Sequence, residues 1–373
     1  MKIALIHDWL TEYGGGEKVF AVICSLYPDA DVFTLTYNVK SLRKLKIENK
    51  NITPSFIQSL PFGKTKYRYY LPFFTKAIES FDLTKYDLII SSSSCVAKGV
   101  LTHINQIHIC YCHSPVRYAW DLYFQYLNLS VYNKFKPLML YIKHVLHKLR
   151  LWDVISSNRV DYFICNSNYI QKRIWKVYRR VSQTIYPPIS THEFTCVSSK
   201  DDYYFVCSRL VSYKKIDLIV KAFREMSDKK LIVIGNGPEK KTLLKLKTSN
   251  IEILGFQPFH ILKAYMEKAK AFVFAADEDF GMVCIEAQAC GTPVIAFGKG
   301  GSLETVKENL TGVFFYQQTA EAIIESVHKF ETLKFDYNII CKHAEQFSEE
   351  RFKREFKDFI EGKVKKKYGT TTL

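Results

Sequence analysis

Residues 274–301 read FAADEDFGMVCIEAQACGTPVIAFGKGG, and no other segment of this chain says as much about its architecture. The apolar run at residues 270–275 predicts a short buried strand, and residues 292–296 predict the next strand. Two apolar strands that are joined through a helix indicate a parallel β-α-β unit. Ligands bind such units at the carboxyl ends of the strands. The loop around Glu278 should therefore lie where a ligand binds.

Two acids, Glu278 and Glu286, lie eight positions apart in this segment. Glu278 is in the loop after the first strand, next to Phe280, Gly281 and Met282, whereas Glu286 lies inside the following helix. Because that helix begins near Gly281, its N-terminal amides and its dipole point into the same crevice. A carboxylate beside exposed amides suits a polyhydroxylated ligand that carries a phosphate. The alternative is a surface acid and a helix acid without a shared ligand.

Together with Phe280 and Gly281, the spacing Glu278-x₇-Glu286 resembles the nucleotide-sugar signature of glycosyltransferase family 4. Further segments follow that family's order: IALIHDWLTEYGGGEKV, YCHSPVRYAWD, SRLVSYKKIDLIVKAF and IGNGPE. The resemblance implies the GT-B fold, an α/β fold in which two Rossmann-like, doubly wound parallel-sheet domains face a central cleft. It also implies transfer of a sugar from a nucleotide diphosphate sugar with retention of anomeric configuration. In detail the chain is most similar to the mannosyltransferase subgroup of O-antigen and exopolysaccharide assembly.

The alternation of apolar strands with helices in both halves also favours two doubly wound domains. The predicted parts are an acceptor-side domain at 1–186, a linker at 187–202, a nucleotide-sugar domain at 203–348, and a C-terminal helix with a basic tail at 349–373. Pro187 and Pro188 stiffen the linker. Two of the predicted helices cover residues 16–27 and 149–160. The resemblance implies that the C-terminal helix returns to the first domain.

The composition is that of a soluble globular protein, with 47% hydrophobic and 24% charged residues in 373. No stretch approaches the ~20 apolar residues that span a bilayer. Ten cysteines without framework spacing, in a chain with no export signal, predict reduced thiols in the cytoplasm. The net charge of +16 is compatible with nucleic acid, an anionic membrane or an acidic substrate. No recognised nucleic-acid motif occurs.

Two basic, aromatic segments at residues 55–81 and 131–152 favour the membrane. The second segment predicts a basic amphipathic helix, a kind of helix that lies in membrane surfaces. Its predicted apolar face comprises Leu138, Tyr141, Ile142, Val145, Leu146 and Leu149. Its predicted basic side comprises Lys143, His144, His147, Lys148 and Arg150. The alternative is an ordinary helix whose apolar stripe joins the core. We expect a cytoplasmic protein that is peripheral at the inner face of the cell membrane.

Candidate site residues in the first domain are Gly15, Gly16 and His113. Residues 14–16 are glycines between the first strand and a helix, where the backbone can approach a phosphate or sugar closely. Their spacing is not G-x-G-x-x-G, and a plain turn is the alternative. His113 follows a strand in YCHSPVRYAW, and a structural histidine is its alternative. The resemblance implies that the glycines flank the donor diphosphate and the acceptor. It also implies that His113 contacts the donor sugar as a catalytic residue, without a required general-base role.

In the second domain, Arg209 and Lys214 follow the strand in YYFVCSRLVSYKK. A guanidinium and an ammonium there can stabilise a leaving diphosphate without a metal. A solvated basic loop is the alternative. The resemblance implies that Arg209 and Lys214 clamp the diphosphate, in preference to Lys215. It further implies these donor contacts: Gly237 beside the nucleotide, Glu278 with Phe280, Gly281 and Met282 at the sugar hydroxyls, and Glu286 at the ribose.

The leading prediction is a retaining, metal-independent hexosyltransferase that moves mannose from GDP-mannose to a lipid-linked or growing cell-surface saccharide. Asp277 and Asp279 form a D-x-D pattern, but we expect neither a metal nor a cofactor. Residues 298–301 and Glu304 are expected to pack against the Glu278 loop. The alternatives are a UDP-sugar-dependent enzyme of the same fold and an inactive membrane-associated scaffold for glycan assembly. A nucleic-acid binder is a third alternative, motivated by charge alone.

Overall fold

The computed structural model describes residues 1–128 and 136–369. The chain divides into two compact units, of which the first is Met1–Tyr186 with Phe352–Leu373 and the second is Pro187–Arg351. Each unit is built on one sheet, and all of the strand pairs are parallel. This architecture confirms the prediction of two Rossmann-like, doubly wound parallel sheets.

The first unit contains a seven-stranded sheet in the order β3-β2-β1-β4-β5-β6-β7. Its strands are β1 Ile3–His7, β2 Asp31–Thr34, β3 Ile52–Pro54, β4 Leu88–Ser93, β5 Ile107–Cys112, β6 Tyr162–Cys165 and β7 Ser182–Thr184. Its helices are α1 Gly15–Leu26, α2 Val39–Leu45, α3 Phe74–Glu79, α4 Tyr123–Leu127, α5 Lys136–Ser156 and α6 Asn168–Tyr178. Every residue of β4 and of β5 is buried, as expected for central strands that are covered on both faces. The strand order reverses between β1 and β4, so a ligand crevice is expected at their carboxyl ends.

The second unit contains a six-stranded sheet in the order β10-β9-β8-β11-β12-β13. Its strands are β8 Tyr204–Cys207, β9 Leu231–Ile234, β10 Ile251–Gly255, β11 Ala271–Phe274, β12 Val294–Phe297 and β13 Gly312–Phe315. Its helices are α7 Ile216–Glu225, α8 Lys240–Leu246, α9 Phe259–Lys268, α10 Met282–Ala289, α11 Ser302–Thr305, α12 Ala320–Glu331 and α13 Tyr337–Glu345. The β-α-β unit predicted from residues 274–301 is β11-α10-β12, and its two strands are neighbours.

The last helix, α14, spans Glu349–Tyr368 and packs mainly in the first unit. Four of its apolar side chains recur at helical spacing and are buried in the core around β1 and α1, namely Phe352, Phe356, Ile360 and Val364. This spacing places them on one face of the helix.

Helix α5 begins well before the helix predicted at residues 149–160, so the start of that prediction was wrong. Leu146 and Leu149 are buried in the core, whereas Leu138 and Tyr141 are 40% and 54% exposed. The predicted apolar stripe therefore joins the core over its C-terminal half only. Residues 131–135 of the amphipathic segment lie outside the described residues. Within the described part of the chain, no helix combines the length and apolar character needed to cross a membrane.

One prediction about the cysteines is wrong: Cys196 and Cys341 form a disulfide inside the second unit. The two cysteines are 145 residues apart in the sequence. They become neighbours only because the segment after Pro187 packs against α13, which the sequence does not reveal. Spacing along the chain reveals disulfide frameworks only in short, cysteine-dense sequences.

Candidate active site

The predicted cations and acid of the second unit meet at the point where its strand order reverses. Arg209 and Lys214 follow β8, Glu278 follows β11, and these two strands pair directly. Open parallel sheets bind ligands at this position, outside the carboxyl ends of the strands. The fold thus brings together three residues that lie up to 69 positions apart in the sequence.

The Lys214 ammonium forms an ion pair with Oε1 of Glu278, and the two side chains are 14% and 19% exposed. Lys214 ends a short 3₁₀ turn, Ser212–Lys214, while the Glu278 carbonyl accepts a hydrogen bond from the Gly301 amide at 2.8 Å. Partial burial reduces the screening of these charges by salt, yet both groups keep some contact with solvent. The pair can therefore be opened by a ligand that offers an anion to Lys214 and hydroxyls to Glu278.

Tyr213 links the two cations, and the sequence did not single it out. Its hydroxyl accepts a hydrogen bond from Nη2 of Arg209 at 3.0 Å, and the Lys214 ammonium lies 5.6 Å from the centre of its ring. Arg209 itself is exposed. Lys215 differs from both because its backbone is left-handed, with φ 57°, at the start of α7. The ring of Tyr213 thus positions the two cations beside each other.

Helix α10 presents its N-terminus after Gly281, whose φ of 82° lies in the left-handed region that favours glycine. Met282 and Glu286 are one helical turn apart and are partly exposed, whereas the intervening Cys284 and Ile285 are buried. The Phe280 ring is buried against Phe347. The use of backbone groups around Gly281 by a ligand stays a prediction.

The glycine-rich segment at residues 298–301 packs against the Glu278 loop, as predicted. A Cβ atom at Gly301 would lie 2.2 Å from Cα of Phe280, and one at Gly300 would lie 2.5 Å from the carbonyl oxygen of Glu278. Lys299 forms an ion pair with Asp277 at 3.0 Å. The close backbone approach holds the Glu278 loop in place, and helix α11, which contains Glu304, follows directly.

We expect Gly301→Ala to lower the free energy of unfolding by about 1–3 kcal/mol, because the added methyl group overpacks a backbone contact. Gly362→Ala is the matched control, since a Cβ atom there has nothing within 4 Å and the residue lies inside α14. Alanine at that helix position should stabilise by roughly 0.5–1 kcal/mol. Urea denaturation of the two variants measures both effects. Equal stability of Gly301→Ala and the parent chain would contradict the packing argument.

Gly237 lies in the turn after β9, where it packs on the backbone near Arg209. A Cβ atom at Gly237 would lie 2.3 Å from the Leu210 carbonyl oxygen, and the Leu210 amide donates to the Asn236 carbonyl at 2.9 Å. This close backbone approach explains why a residue without a side chain is needed at position 237. A contact between Gly237 and the nucleotide stays a prediction.

In the first unit, the structure brings Gly16 and His113 together. Gly15 begins α1, and a Cβ atom at Gly16 would lie 3.6 Å from Nε2 of His113, in van der Waals contact with the ring. His113 follows β5, whose neighbour β4 separates it from β1. The glycine loop and the histidine therefore share the carboxyl edge of this sheet, where the strand order reverses.

Ser92, at the end of β4, bridges two histidines. Its Oγ lies 2.8 Å from Nε2 of His113 and 3.1 Å from Nδ1 of His7. Burial lowers the pKa of both imidazoles to about 3, and the neighbouring His7 ring further lowers the pKa of His113. Both rings are therefore neutral at neutral pH. Neither His7 nor Ser92 was predicted as a site residue.

Asp8 organises the loop that follows β4. Its buried carboxylate accepts four backbone hydrogen bonds at 2.6–2.9 Å, from the amides of Ser94, Cys95, Val96 and Ala97. A carboxylate directly after a buried first strand, in IALIHD, was the available sequence signal for this role. The acid fixes the position of the chain immediately after Ser92 and Ser93.

The D-x-D pattern is engaged within the protein through the pairing of Asp277 with Lys299. Among the described residues there is no cluster of three or more histidine, cysteine, aspartate or glutamate side chains that could hold a metal ion.

Residues 191–354 match the family model of glycosyl transferases group 1. The matched region includes Arg209, Lys214, Glu278 and Glu286, and it covers most of the second unit.

The relatives that match parts of the chain include the following two. An uncharacterized glycosyltransferase of Methanocaldococcus jannaschii is 28% identical over 190 residues, which are 48% of this chain and 53% of the relative. A GDP-mannose-dependent monoacylated alpha-(1-6)-phosphatidylinositol monomannoside mannosyltransferase of Corynebacterium glutamicum is 35% identical over 114 residues, 26% of this chain and 30% of the relative. The chain thus spans about half of the first relative and less than a third of the second.

A likeness to solved structures extends over nearly the whole chain. Anabaena HepE in complex with UDP has a TM-score of 0.70 and 18% identity, with 97% of this chain and 100% of that chain covered. At this identity the likeness concerns the fold alone, and the predicted GT-B fold is confirmed.

Proposed function

We propose that this protein is a glycosyltransferase that uses a nucleotide diphosphate sugar as donor. The observation that carries the proposal is the Lys214–Glu278 ion pair at the strand-order reversal of a glycosyl transferases group 1 domain. A cation and a carboxylate that contact each other offer one group for a diphosphate and one for sugar hydroxyls.

The chemistry proposed for these residues follows from where charge develops. As the bond from the sugar to the diphosphate breaks, negative charge grows on the leaving phosphate. Arg209 offers a planar fork of donors and Lys214 a compact charge, and both stabilise that developing charge without a metal. Glu278 then accepts hydrogen bonds from the sugar and Glu286 from the ribose. Transfer with retention of configuration is part of the proposal.

GDP-mannose is the proposed donor and a lipid-linked saccharide the proposed acceptor. Support comes from the name of the Corynebacterium relative, which is GDP-mannose-dependent and acts on a phosphatidylinositol mannoside. UDP-sugars are the competing donors. Measurements of binding and of turnover distinguish them from GDP-mannose.

A donor panel tests this proposal. The protein is heated with GDP-mannose, GDP, UDP-glucose or UDP, and its unfolding is followed; a donor at 100 times its Kd should stabilise the second unit by about 2.7 kcal/mol. The Lys214→Ala variant is the control, since it lacks one proposed diphosphate contact. Donor hydrolysis is measured in parallel, and NMR of the released sugar gives its anomeric configuration. Stabilisation by UDP-glucose alone would replace GDP-mannose, and no response to any nucleotide sugar would overturn the proposal.

We also propose that the first unit docks on an anionic membrane surface. In residues 55–81, Phe62 and Tyr69 are 69% and 77% exposed, and in α5 Leu140 is 67% exposed. Both segments contribute to one core cluster, which contains Tyr67 and Phe74 as well as Leu146 and Leu149. Their exposed apolar side chains are accompanied by four exposed lysines, Lys64, Lys66, Lys143 and Lys148. Amphipathic surfaces with lysines around apolar groups bind anionic interfaces.

Two arginines of these segments are engaged within the protein instead. Arg68 forms an ion pair with Glu12 at 3.0 Å, and the Arg150 guanidinium lies 4.7 Å from the centre of the Tyr123 ring while donating to the Ala119 carbonyl at 3.1 Å. The lysines are therefore the better positions for a test of membrane binding.

Reversing the charge of Lys143 and Lys148 should weaken sedimentation with anionic vesicles, because each basic residue near such a surface contributes about 1 kcal/mol. Binding should also weaken at high salt, since the attraction reaches only about 8 Å at physiological ionic strength. Reversal at Lys241 and Lys245 of α8, two exposed lysines of the second unit, is the matched control. Donor hydrolysis should stay unchanged in both variants. Equal sedimentation of the Lys143/Lys148 variant and the parent chain would show that α5 is only a solvated helix.

A further inference from the structure

His7, Ser92 and His113 form a continuous hydrogen-bonded chain across the carboxyl ends of three adjacent strands. Ser92 Oγ is within 2.8 Å of His113 Nε2 and within 3.1 Å of His7 Nδ1, and Ser92 itself is fully buried. His7 is also buried, with its ring stacked on Phe20 at a centroid distance of 4.7 Å. The chain of contacts thus leads from the interior of the first unit to His113, a residue of intermediate exposure.

The chemistry of a hydroxyl couples the two rings. Ser92 carries one O–H proton, so it can donate to one imidazole and must accept from the other. A neutral imidazole carries one N–H and one lone pair. Consequently the tautomer of His7 determines the direction of the Ser92 hydroxyl, and that direction determines the tautomer of His113.

The contacts allow two directions for this chain, and each of them leaves His113 with one tautomer. If Nδ1 of His7 donates, Ser92 accepts and donates its own proton to Nε2 of His113, so that the proton of His113 is on Nδ1. If Nδ1 of His7 accepts, the Ser92 hydroxyl donates to His7 and accepts from the Nε2–H of His113.

We infer that His7 and Ser92 are positioning residues that hold His113 in a single neutral tautomer, so that its ring offers a fixed hydrogen-bonding group to a hydroxyl of the donor sugar. The role of the sugar rests on the proposed function, whereas the tautomer does not. In histidines at functional sites, the hydrogen bond that one ring nitrogen makes usually determines whether the other nitrogen carries a proton.

The backbone around this relay is held in place. The His113 amide donates to the Ser93 carbonyl at 2.8 Å, and its carbonyl accepts from Nδ2 of Asn166 at 3.1 Å. Asp8 accepts from the Ser94 amide at 2.6 Å, immediately after the relay serine. A hydrogen-bonding group that is already oriented needs no reorganisation when a ligand binds, so it stabilises the bound ligand more strongly.

The same two strands supply a matched control. Ser91 Oγ lies 2.8 Å from Nε2 of His108, and both residues are fully buried. Because side chains alternate along a strand, Ser91 and Ser92 point to opposite faces of the sheet. Ser91→Ala therefore removes a buried serine–histidine hydrogen bond of equal length without touching His113.

The test measures the tautomer directly in the full chain with ¹⁵N-labelled histidine. Long-range ¹H–¹⁵N correlation spectra distinguish the two neutral tautomers, and the His113 signal is assigned from its loss in His113→Gln. We expect a single His113 tautomer in the parent chain and in Ser91→Ala, and a mixture of the two tautomers in Ser92→Ala and His7→Phe. His7→Asn, whose side-chain amide can donate or accept near the place of Nδ1, should restore the parent tautomer.

Kinetics then connects the relay to the proposed function. With the donor on which the parent chain is active, Ser92→Ala and His7→Phe should lower kcat about 10- to 100-fold with little change in KM, and His7→Asn should recover most of the loss. A mixture of tautomers in the parent chain, or an unchanged tautomer in Ser92→Ala, would overturn the inference. A parent chain with a single His113 tautomer but no transfer to any acceptor would overturn the proposed function and leave the relay standing.

Discussion

Glu278→Gln should lower kcat/KM for transfer by roughly 10- to 150-fold while leaving the binding of the free nucleotide largely intact. Hydrogen bonds to a charged group contribute about 1.5–3 kcal/mol, which corresponds to that range of rates. The carboxylate is proposed to hold the sugar, so a nucleotide without a sugar does not depend on it. Moreover, Glu278 pairs with Lys214, and removing its charge leaves Lys214 able to bind the diphosphate. Steady-state kinetics and calorimetric titration with GDP measure the two effects separately.

Asp277→Asn is the matched control for this variant. It makes the same chemical change one residue earlier in the same loop and breaks the ion pair with Lys299 instead. We expect it to keep near-normal transfer, because Asp277 is not among the proposed donor contacts. If Glu278→Gln turned over like the parent chain, or if it lost the nucleotide as well as the sugar, the assignment of Glu278 to the sugar would be wrong.

The fold was predictable because its signals are local. The apolar run at residues 270–275 predicted β11 within one residue at each end, and parallel pairing follows from the alternation of strands with helices. The short edge strands β3 and β7 were missed, since three residues provide too little pattern. Helix α5 was predicted in two pieces, as an amphipathic helix within residues 131–152 and as a helix at 149–160, whereas the structure has one helix at Lys136–Ser156.

The sequence indicated which residues belong to the candidate site, but it did not indicate the contacts between them. Arg209, Lys214 and Glu278 were identified from motifs, but the ion pair between Lys214 and Glu278 joins two loops whose proximity depends on the pairing of β8 with β11. Likewise, a histidine followed by an aspartate in IALIHD carries no sign of the serine that bridges His7 to His113. Long-range contacts of this kind require the register of the sheet, which the local pattern does not contain.

Arg209→Ala and Lys214→Ala should each lower kcat by about 10²- to 10³-fold, which is the largest loss that we expect from a single substitution. Removing one donor to a developing oxyanion costs roughly 2.7–4 kcal/mol of transition-state stabilisation. Lys215→Ala is the control, because Lys215 is the adjacent lysine of the same loop and its backbone caps α7. The two losses should not add fully, since Tyr213 contacts both cations and couples their positions.

The effect of divalent metal ions on activity tests the proposed metal-independent mechanism. A guanidinium and an ammonium that already neutralise the leaving diphosphate make a metal redundant, so EDTA should not reduce the activity of the parent chain. Mg²⁺ or Mn²⁺ should likewise fail to restore Arg209→Ala or Lys214→Ala, because the loops provide the cations at positions fixed by β8 and Tyr213. Activity that EDTA abolishes and Mn²⁺ restores would contradict this mechanism. It would indicate that Asp277 and Asp279 bind the diphosphate through a metal ion. The Asp277→Asn variant would then lose activity together with its ion pair to Lys299, which separates the two mechanisms in one experiment.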